Sequence, residues 1–121
     1  MSILGIDHVQ LAMPVGEENK ARVFFVNLLG FKEIPKPPEL AKRGGVWFET
    51  GSVRLHLGVE KDFSPARKAH PAFVVEELDA LISKIQSAGF ETDTTQPALA
   101  GYKRAHIFDP FGNRIELMEK L

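Results

Sequence analysis

Apolar and polar positions follow two alternating periods, and the same order runs along the chain twice. Residues 3–13 (ILGIDHVQLAM) set Val9, Leu11 and Met13 against His8, Gln10 and Ala12, the period-two pattern of a strand. Over residues 17–29 the period becomes helical, with Ala21, Phe24, Phe25, Leu28 and Leu29 on one face. Gly30 follows where a left-handed cap suits glycine. Phe31–Ile34 predicts a short strand, and the stretch through Arg43 (PKPPELAKR) an irregular loop. Val46–Thr50 and Val53–Gly58 predict two strands joined at Gly51-Ser52.

After a polar connection over residues 59–69 the order repeats. His70–Glu76 is strand-like, and Leu78, Leu81, Ile82 and Ile85 mark a second amphipathic helix ended by Gly89. Phe90–Thr94 predicts a short strand, Gln96–Lys103 a loop, and Arg104–Phe108 and Arg114–Glu119 two strands across Asp109-Pro110-Phe111-Gly112. Proline second and glycine fourth suit a type I turn. His8 and His70, Gly30 and Gly89, and His56 and Glu116 correspond at an offset of about 60 residues. An internal repeat decides architecture before any motif does. The expected fold is α+β, one domain over residues 1–121 built from two βαβββ modules, about 1–60 and 68–121. Each module alone would be marginal in size.

Composition narrows the function classes. The formal net charge is −1, so no global field draws the chain to nucleic acid or to an anionic membrane. There are no cysteines, which removes disulfides, thiolate ligands and a cysteine nucleophile. The first 13 residues carry Asp7 and His8 and no basic start, so they read as a strand and not a signal peptide. No apolar run approaches the roughly 20 residues of a membrane span. The expectation is a cytoplasmic protein whose partner is a small molecule.

Strand parity isolates four polar residues. Alternate residues of a strand face opposite sides of the sheet. His8 points away from Val9 and Leu11, His56 from Leu55 and Leu57, His70 from Phe73 and Val75, and Glu116 from Ile115 and Leu117. The repeat equates His8 with His70 and His56 with Glu116, so a pseudo-twofold would let all four converge. Three imidazoles and a carboxylate suit a divalent metal such as Zn, Ni, Co, Mn or Fe, with open positions for water or substrate. The same residues could instead line a wet cleft. His106 is a fifth candidate without a repeat partner, and its expected place is the cavity wall.

The segments IDHVQLAM, LLGF, AHPAFVV and DPFGNRIELME, in that order over essentially the whole chain, resemble the vicinal oxygen chelate superfamily of glyoxalases, bleomycin-resistance proteins and ring-cleaving dioxygenases. The resemblance implies paired modules forming a cupped, mixed eight-stranded sheet, with helices outside and a metal within. Its ligand positions fall on His8, His56, His70 and Glu116, and Glu116 is also the implied base. Glyoxalase I carries a carboxylate at the position of His56, which argues against lactoylglutathione lyase activity. The implied function is a metal-dependent lyase, isomerase or transferase acting on a small oxygen-rich substrate. The alternatives are a metal-free drug-binding protein of the bleomycin-resistance kind and a ring-cleaving dioxygenase. Relatives of this length also imply a homodimer, with module pairing within or between chains left open.

Further residues are candidates for substrate contact. Arg54 shares parity with His56 and Arg104 with His106, and a guanidinium facing the cavity grips carboxylate or phosphate by a fork. Trp47 would favour a planar or apolar substrate. Gln10 lies two residues after His8, and Tyr102 precedes the seventh strand, placed to close over a ligand. Arg67 and Lys68 read as solvated linker.

Overall fold

The computed structural model describes all 121 residues and divides into two compact units, Met1–Phe63 and Ser64–Leu121. The first contains β1 (Val9–Met13), α1 (Glu18–Arg22), β2 (Lys32–Ile34), α2 (Pro38–Ala41), β3 (Val46–Thr50) and β4 (Val53–Val59). Its sheet order is β1-β4-β3-β2, with β1 parallel to β4 and the other pairs antiparallel. Leu11, Met13, Val46, Phe48, Leu55 and Leu57 are buried from the sheet, and Ala21, Phe24 and Phe25 from the helix. The Phe25 and Phe48 rings meet at 5.5 Å. Such aromatic contacts supply much of the buried area that holds a small unit together.

Three elements of this unit differ from the sequence expectation. The first strand begins at Val9, not residue 3, and Met1, Ile3, Leu4 and Ile6 are each at least 84% exposed. The alternation that predicts the strand runs over residues 8–13, and the apolar residues before it do not extend it. A strand's backbone needs a ladder partner, and β4 pairs β1 only from Val9 onward. The predicted helix continues past α1 as a π-helical turn over Val23–Leu28, where the Leu29 amide donates to the Phe24 carbonyl at 3.1 Å. Inside the proline-rich loop, α2 forms with Pro38 in its first turn, where a missing N–H costs nothing.

That loop is tied down beyond α2. Gly45 has φ +84°, its amide donates to Glu18 Oε2 at 2.8 Å, and the Lys36 ammonium donates to the Gly44 carbonyl. A Cβ on Gly45 would lie 2.2 Å from the Leu57 carbonyl oxygen, so only glycine fits.

The second unit contains β5 (Ala72–Val74), α3 (Leu78–Ser87), β6 (Thr92–Asp93), β7 (Tyr102–Phe108) and β8 (Arg114–Lys120). Its sheet order is β5-β8-β7-β6, with β5 parallel to β8. The eight strands are thus held as two four-stranded sheets, with β1 and β5 as edge strands. Leu78, Ile82 and Ile85 of α3 are buried, as are Ala105, Ile107, Ile115 and Leu117 of the sheet. The Glu119 carboxylate accepts from the Glu77 and Leu78 amides at 3.1 Å each, capping α3 from β8. No helix is long and apolar enough to cross a membrane.

The β7–β8 turn is closed by a buried carboxylate. Asp109 Oδ1 accepts from the Phe111 and Asn113 amides at 2.9 Å, and Oδ2 from Asn113 Nδ2 at 2.9 Å. The Gly112 amide donates to the Asp109 carbonyl at 3.0 Å, the expected turn bond. Burial pushes the Asp109 carboxyl above its ordinary value, against the opposing pull of these donors. Arg67 is not solvated linker: its guanidinium lies 4.6 Å over the Phe108 ring and donates to the Gly112 carbonyl at 3.3 Å.

Candidate metal centre

The turn at Asp109 sets the register of the β7–β8 hairpin. Pairing runs outward as Phe108 with Arg114, His106 with Glu116 and Arg104 with Met118. These residues face away from the buried Ala105, Ile107, Ile115 and Leu117. On the other side of β8, Ala72 pairs with Glu116, and the Glu116 amide donates to the Pro71 carbonyl at 2.9 Å. His70 therefore reaches Glu116 from the segment two residues before β5, which is shorter than the strand expected over His70–Glu76, and His106 reaches it from β7.

Distances in this cluster are short. His70 Nε2 stands 3.1 Å from Glu116 Oε1, and His106 Nε2 stands 3.8 Å from the same oxygen. Ligand atoms of His70, His106 and Glu116 all lie within 4.8 Å of one another. The two imidazole planes cross at 53°, so their in-plane lone pairs can converge. His106 and Glu116 are 4% and 5% exposed, which shields the group from bulk water.

The donor set fits a divalent cation. His70 Nδ1 faces the Lys68 carbonyl at 2.8 Å while Nε2 faces the carboxylate. With an oxygen acceptor at each ring nitrogen, either a proton or a metal ion must stand between Nε2 and Oε1. Two donors about 2.1 Å from one ion at right angles sit about 3 Å apart, close to that spacing. Burial, reinforced by the Arg114 charge and opposed by Glu116, pulls His106 below its ordinary value, which favours the neutral ring. His106 Nδ1 is buried without a hydrogen-bond partner. Arg104 completes the group: its Nε donates to the Pro97 carbonyl at 2.8 Å, and its Nη1 lies 3.5 Å from Glu116 Oε2.

The first unit holds its own polar face. Trp47 pairs with His56 across β3–β4, and their rings stack at 3.9 Å with 3° between planes. His8 stacks on His56 at 4.2 Å and 18°. Near-parallel rings send their in-plane lone pairs side by side and not to one point. Burial holds His56 below its ordinary value, with His8 the next contributor. Asp7 bridges His8 Nδ1 at 2.9 Å and Arg54 Nη1 at 3.1 Å, and the hydrogen bond to His8 leads in lowering its carboxyl. Gln10 occupies the space over Gly58, whose added Cβ would meet Gln10 Nε2 at 2.6 Å.

A model of the glyoxalase/bleomycin resistance protein/dioxygenase superfamily matches residues 5–117. The chain belongs to this superfamily. A glyoxalase-family protein from Bacillus anthracis is 48% identical over 100% of this chain and 98% of its own, with a TM-score of 0.89. A glyoxalase-family protein from Enterococcus faecalis is 27% identical over 95% and 97%, with a TM-score of 0.73. The fosfomycin resistance protein FosX from Listeria monocytogenes, solved with Mn(II), shares the fold at 20% identity over 99% and 93%, with a TM-score of 0.80. A comparison with curated protein sequences gave no significant match.

In this glyoxalase-superfamily chain, then, His70 and Glu116 meet in the second unit and His8 and His56 in the first. His106, expected on a cavity wall, stands among the possible ligands, with Arg104 beside it. Tyr102 starts β7 opposite Lys120, on the same face as Arg104. Asp7, the Lys68 carbonyl and Arg114 were not singled out by sequence reasoning. Hairpin register stepped outward from the turn would have set the candidate His106 opposite Glu116 and found Arg114. The Lys68 carbonyl carries no side-chain signal at all.

Proposed function

We propose that the chain is a metal-dependent enzyme of the lyase, isomerase or transferase type, acting on a small oxygen-rich substrate in the second unit. One observation carries this reading: His70 presents Nε2 to Glu116 Oε1 at 3.1 Å while the Lys68 carbonyl holds its other nitrogen, with His106 as third donor. The Mn(II) in the FosX structure supports a divalent ion of the Zn, Ni, Co, Mn or Fe group.

A bound ion would supply Lewis acidity toward a carbonyl or a pair of adjacent oxygens. The protein's part follows from the geometry. Lys68 orients His70, burial favours the neutral ring of His106 so its lone pair stays available, and Arg104 lies against the outer carboxylate oxygen of Glu116. Glu116 is the group able to accept a substrate proton, at a carboxylate oxygen. The low exposure of His106 and Glu116 strengthens every charge interaction there.

Elemental mass spectrometry on untagged protein tests the reading, beside His70→Ala, Glu116→Ala, His8→Ala and His56→Ala. Near one divalent ion per chain, lost in the first two variants, is expected. The last two report whether the ligands expected in the first module take part. Absence of metal after incubation with Zn, Ni, Co, Mn and anaerobic Fe(II) would overturn it in favour of a metal-free small-molecule-binding protein.

A homodimer belongs to the same proposal. The exposed Met1, Ile3, Leu4 and Ile6 precede the edge strand β1, and an apolar arm beside an unpaired edge calls for cover. Light scattering should give twice the chain mass, and removal of residues 1–6 should shift it toward the monomer.

A further inference from the structure

Along the outer face of the β7–β8 hairpin, the His106–Glu116 pair has a guanidinium on either side. Arg104 precedes His106 by two residues on β7, and Arg114 precedes Glu116 by two on β8. Two residues of strand span about 7 Å, and all four side chains project from the same face. A ligand of a few heavy atoms seated at His106 and Glu116 would therefore have a fixed positive charge at each end of the hairpin axis.

Neither arginine is spent on structure alone. Arg104 uses Nε on the Pro97 carbonyl, which aims the rest of the fork at Glu116 Oε2 and at His106 Nε2, 3.5 and 3.4 Å away. Its side chain is 14% exposed, so the guanidinium is shielded yet reachable. Arg114 follows the turn opposite Phe108, and its Nε is buried with no hydrogen-bond partner. A buried donor without an acceptor costs stability, and a ligand oxygen would relieve it. Both guanidinium charges are felt at His106. The nearby acids do not cancel them once a divalent ion is present. Glu116 and Asp93, the latter opposite His106 on β6 and held ionised by Thr95 and Gln96, are two negative charges against two guanidinium groups and a divalent ion.

We infer that Arg104 and Arg114 are specificity-determining residues that select substrates carrying an anionic oxyacid group, a carboxylate or a phosphorus oxyanion. The inference rests on the second unit being the substrate site and names the substrate class for it. Guanidinium forks match the paired oxygens of both groups, which ammonium groups do not. Neutral diols and ketones, lacking a charge for the flanking arginines, would be poor ligands.

Calorimetric titration tests this with two probes, methylphosphonate and glycolate, on wild-type protein and on Arg104→Gln and Arg114→Gln, each metal-free and Zn(II)-loaded. At least one probe should bind wild type, and which one binds separates the phosphorus from the carboxylate source. Each substitution should weaken probe binding by about 10- to 100-fold, the range for a charged hydrogen bond, in the metal-free protein as well as in the loaded one. Arg104→Lys and Arg114→Lys keep the charge without the fork and should fall between, covering the case in which a glutamine variant fails to fold. No binding of either probe, or equal binding in wild type and every folded variant, would overturn the inference. Arginine-dependent binding to protein that takes up no metal would uphold it while removing the metal reading. Metal uptake with arginine-independent probe binding would do the reverse.

Discussion

His70 is held between two oxygen acceptors, its Nδ1 at 2.8 Å from the Lys68 carbonyl and its Nε2 at 3.1 Å from Glu116 Oε1. A main-chain group thereby fixes which nitrogen faces the carboxylate, a division of labour common around metal-binding histidines. The centre assembled in the second unit depends on this pairing, because without His70 the buried Glu116 carboxylate would keep only the longer approaches of Arg104 at 3.5 Å and His106 at 3.8 Å.

Metal affinity should depend on His106 as well as on His70 and Glu116. His106→Gln is expected to weaken Zn(II) or Mn(II) binding by about 10- to 100-fold, the scale of losing a well-oriented contact at a metal site. A competition titration against a chromophoric chelator reads it directly. Affinity should also fall below about pH 6, because imidazole must be neutral to donate its lone pair.

Without metal, stability should fall as the solution is acidified below the ordinary histidine value. His56 and His106 are both held below that value by burial. The unfolded chain then binds more protons than the folded one in the window between the two values. Stability is full above the window and declines as pH drops through it. Thermal unfolding in chelator between pH 8 and 5 should show the decline, and His106→Gln should flatten it.

Asp109→Ala should cost about 2–4 kcal/mol, because it strands the Phe111 and Asn113 amides and the Asn113 side chain in a buried turn. Denaturant titration measures the loss. A cost below 1 kcal/mol would mean that water replaces the carboxylate.

Gly45→Ala should destabilise by about 2 kcal/mol or more, combining a disfavoured positive φ with a close approach to the Leu57 carbonyl. Gly51→Ala shares the positive φ but has nothing within 4 Å, so the gap between the two isolates the clash.

Asp7→Ala should change the tautomer of His8, since Asp7 Oδ2 is what holds the proton on Nδ1. Nitrogen-15 chemical shifts of the imidazole should move toward a mixture of both tautomers, and the shifts of His70 should stay put.

Much of this molecule was legible in the chain. The repeated period change, from two to helical and back, placed both amphipathic helices and six strands close to where they lie, because burial on one face imposes that spacing regardless of context. Parity likewise put Gln10, Trp47, Arg54 and His56 on one face and His106 and Glu116 on another, since alternation is a local property of extended backbone. The failures share a different cause. Residues 3–8 were read as the start of the first strand by extension from the alternation of residues 8–13, but they have no ladder partner, and partners are a tertiary matter. The α2 turn hid behind a proline-rich composition that also suits a helix start. His106 lacked a repeat partner, so symmetry passed over it. Only the register fixed by the Asp109 turn set it opposite Glu116. The Lys68 carbonyl, the Arg67 stacking on Phe108 and the crossing of the His70 and His106 rings depend on side-chain placement after packing, and no spacing along the chain encodes them. Local periodicity chose which residues face the polar side of each sheet, and packing decided that His70, His106 and Glu116 come within 4.8 Å of one another.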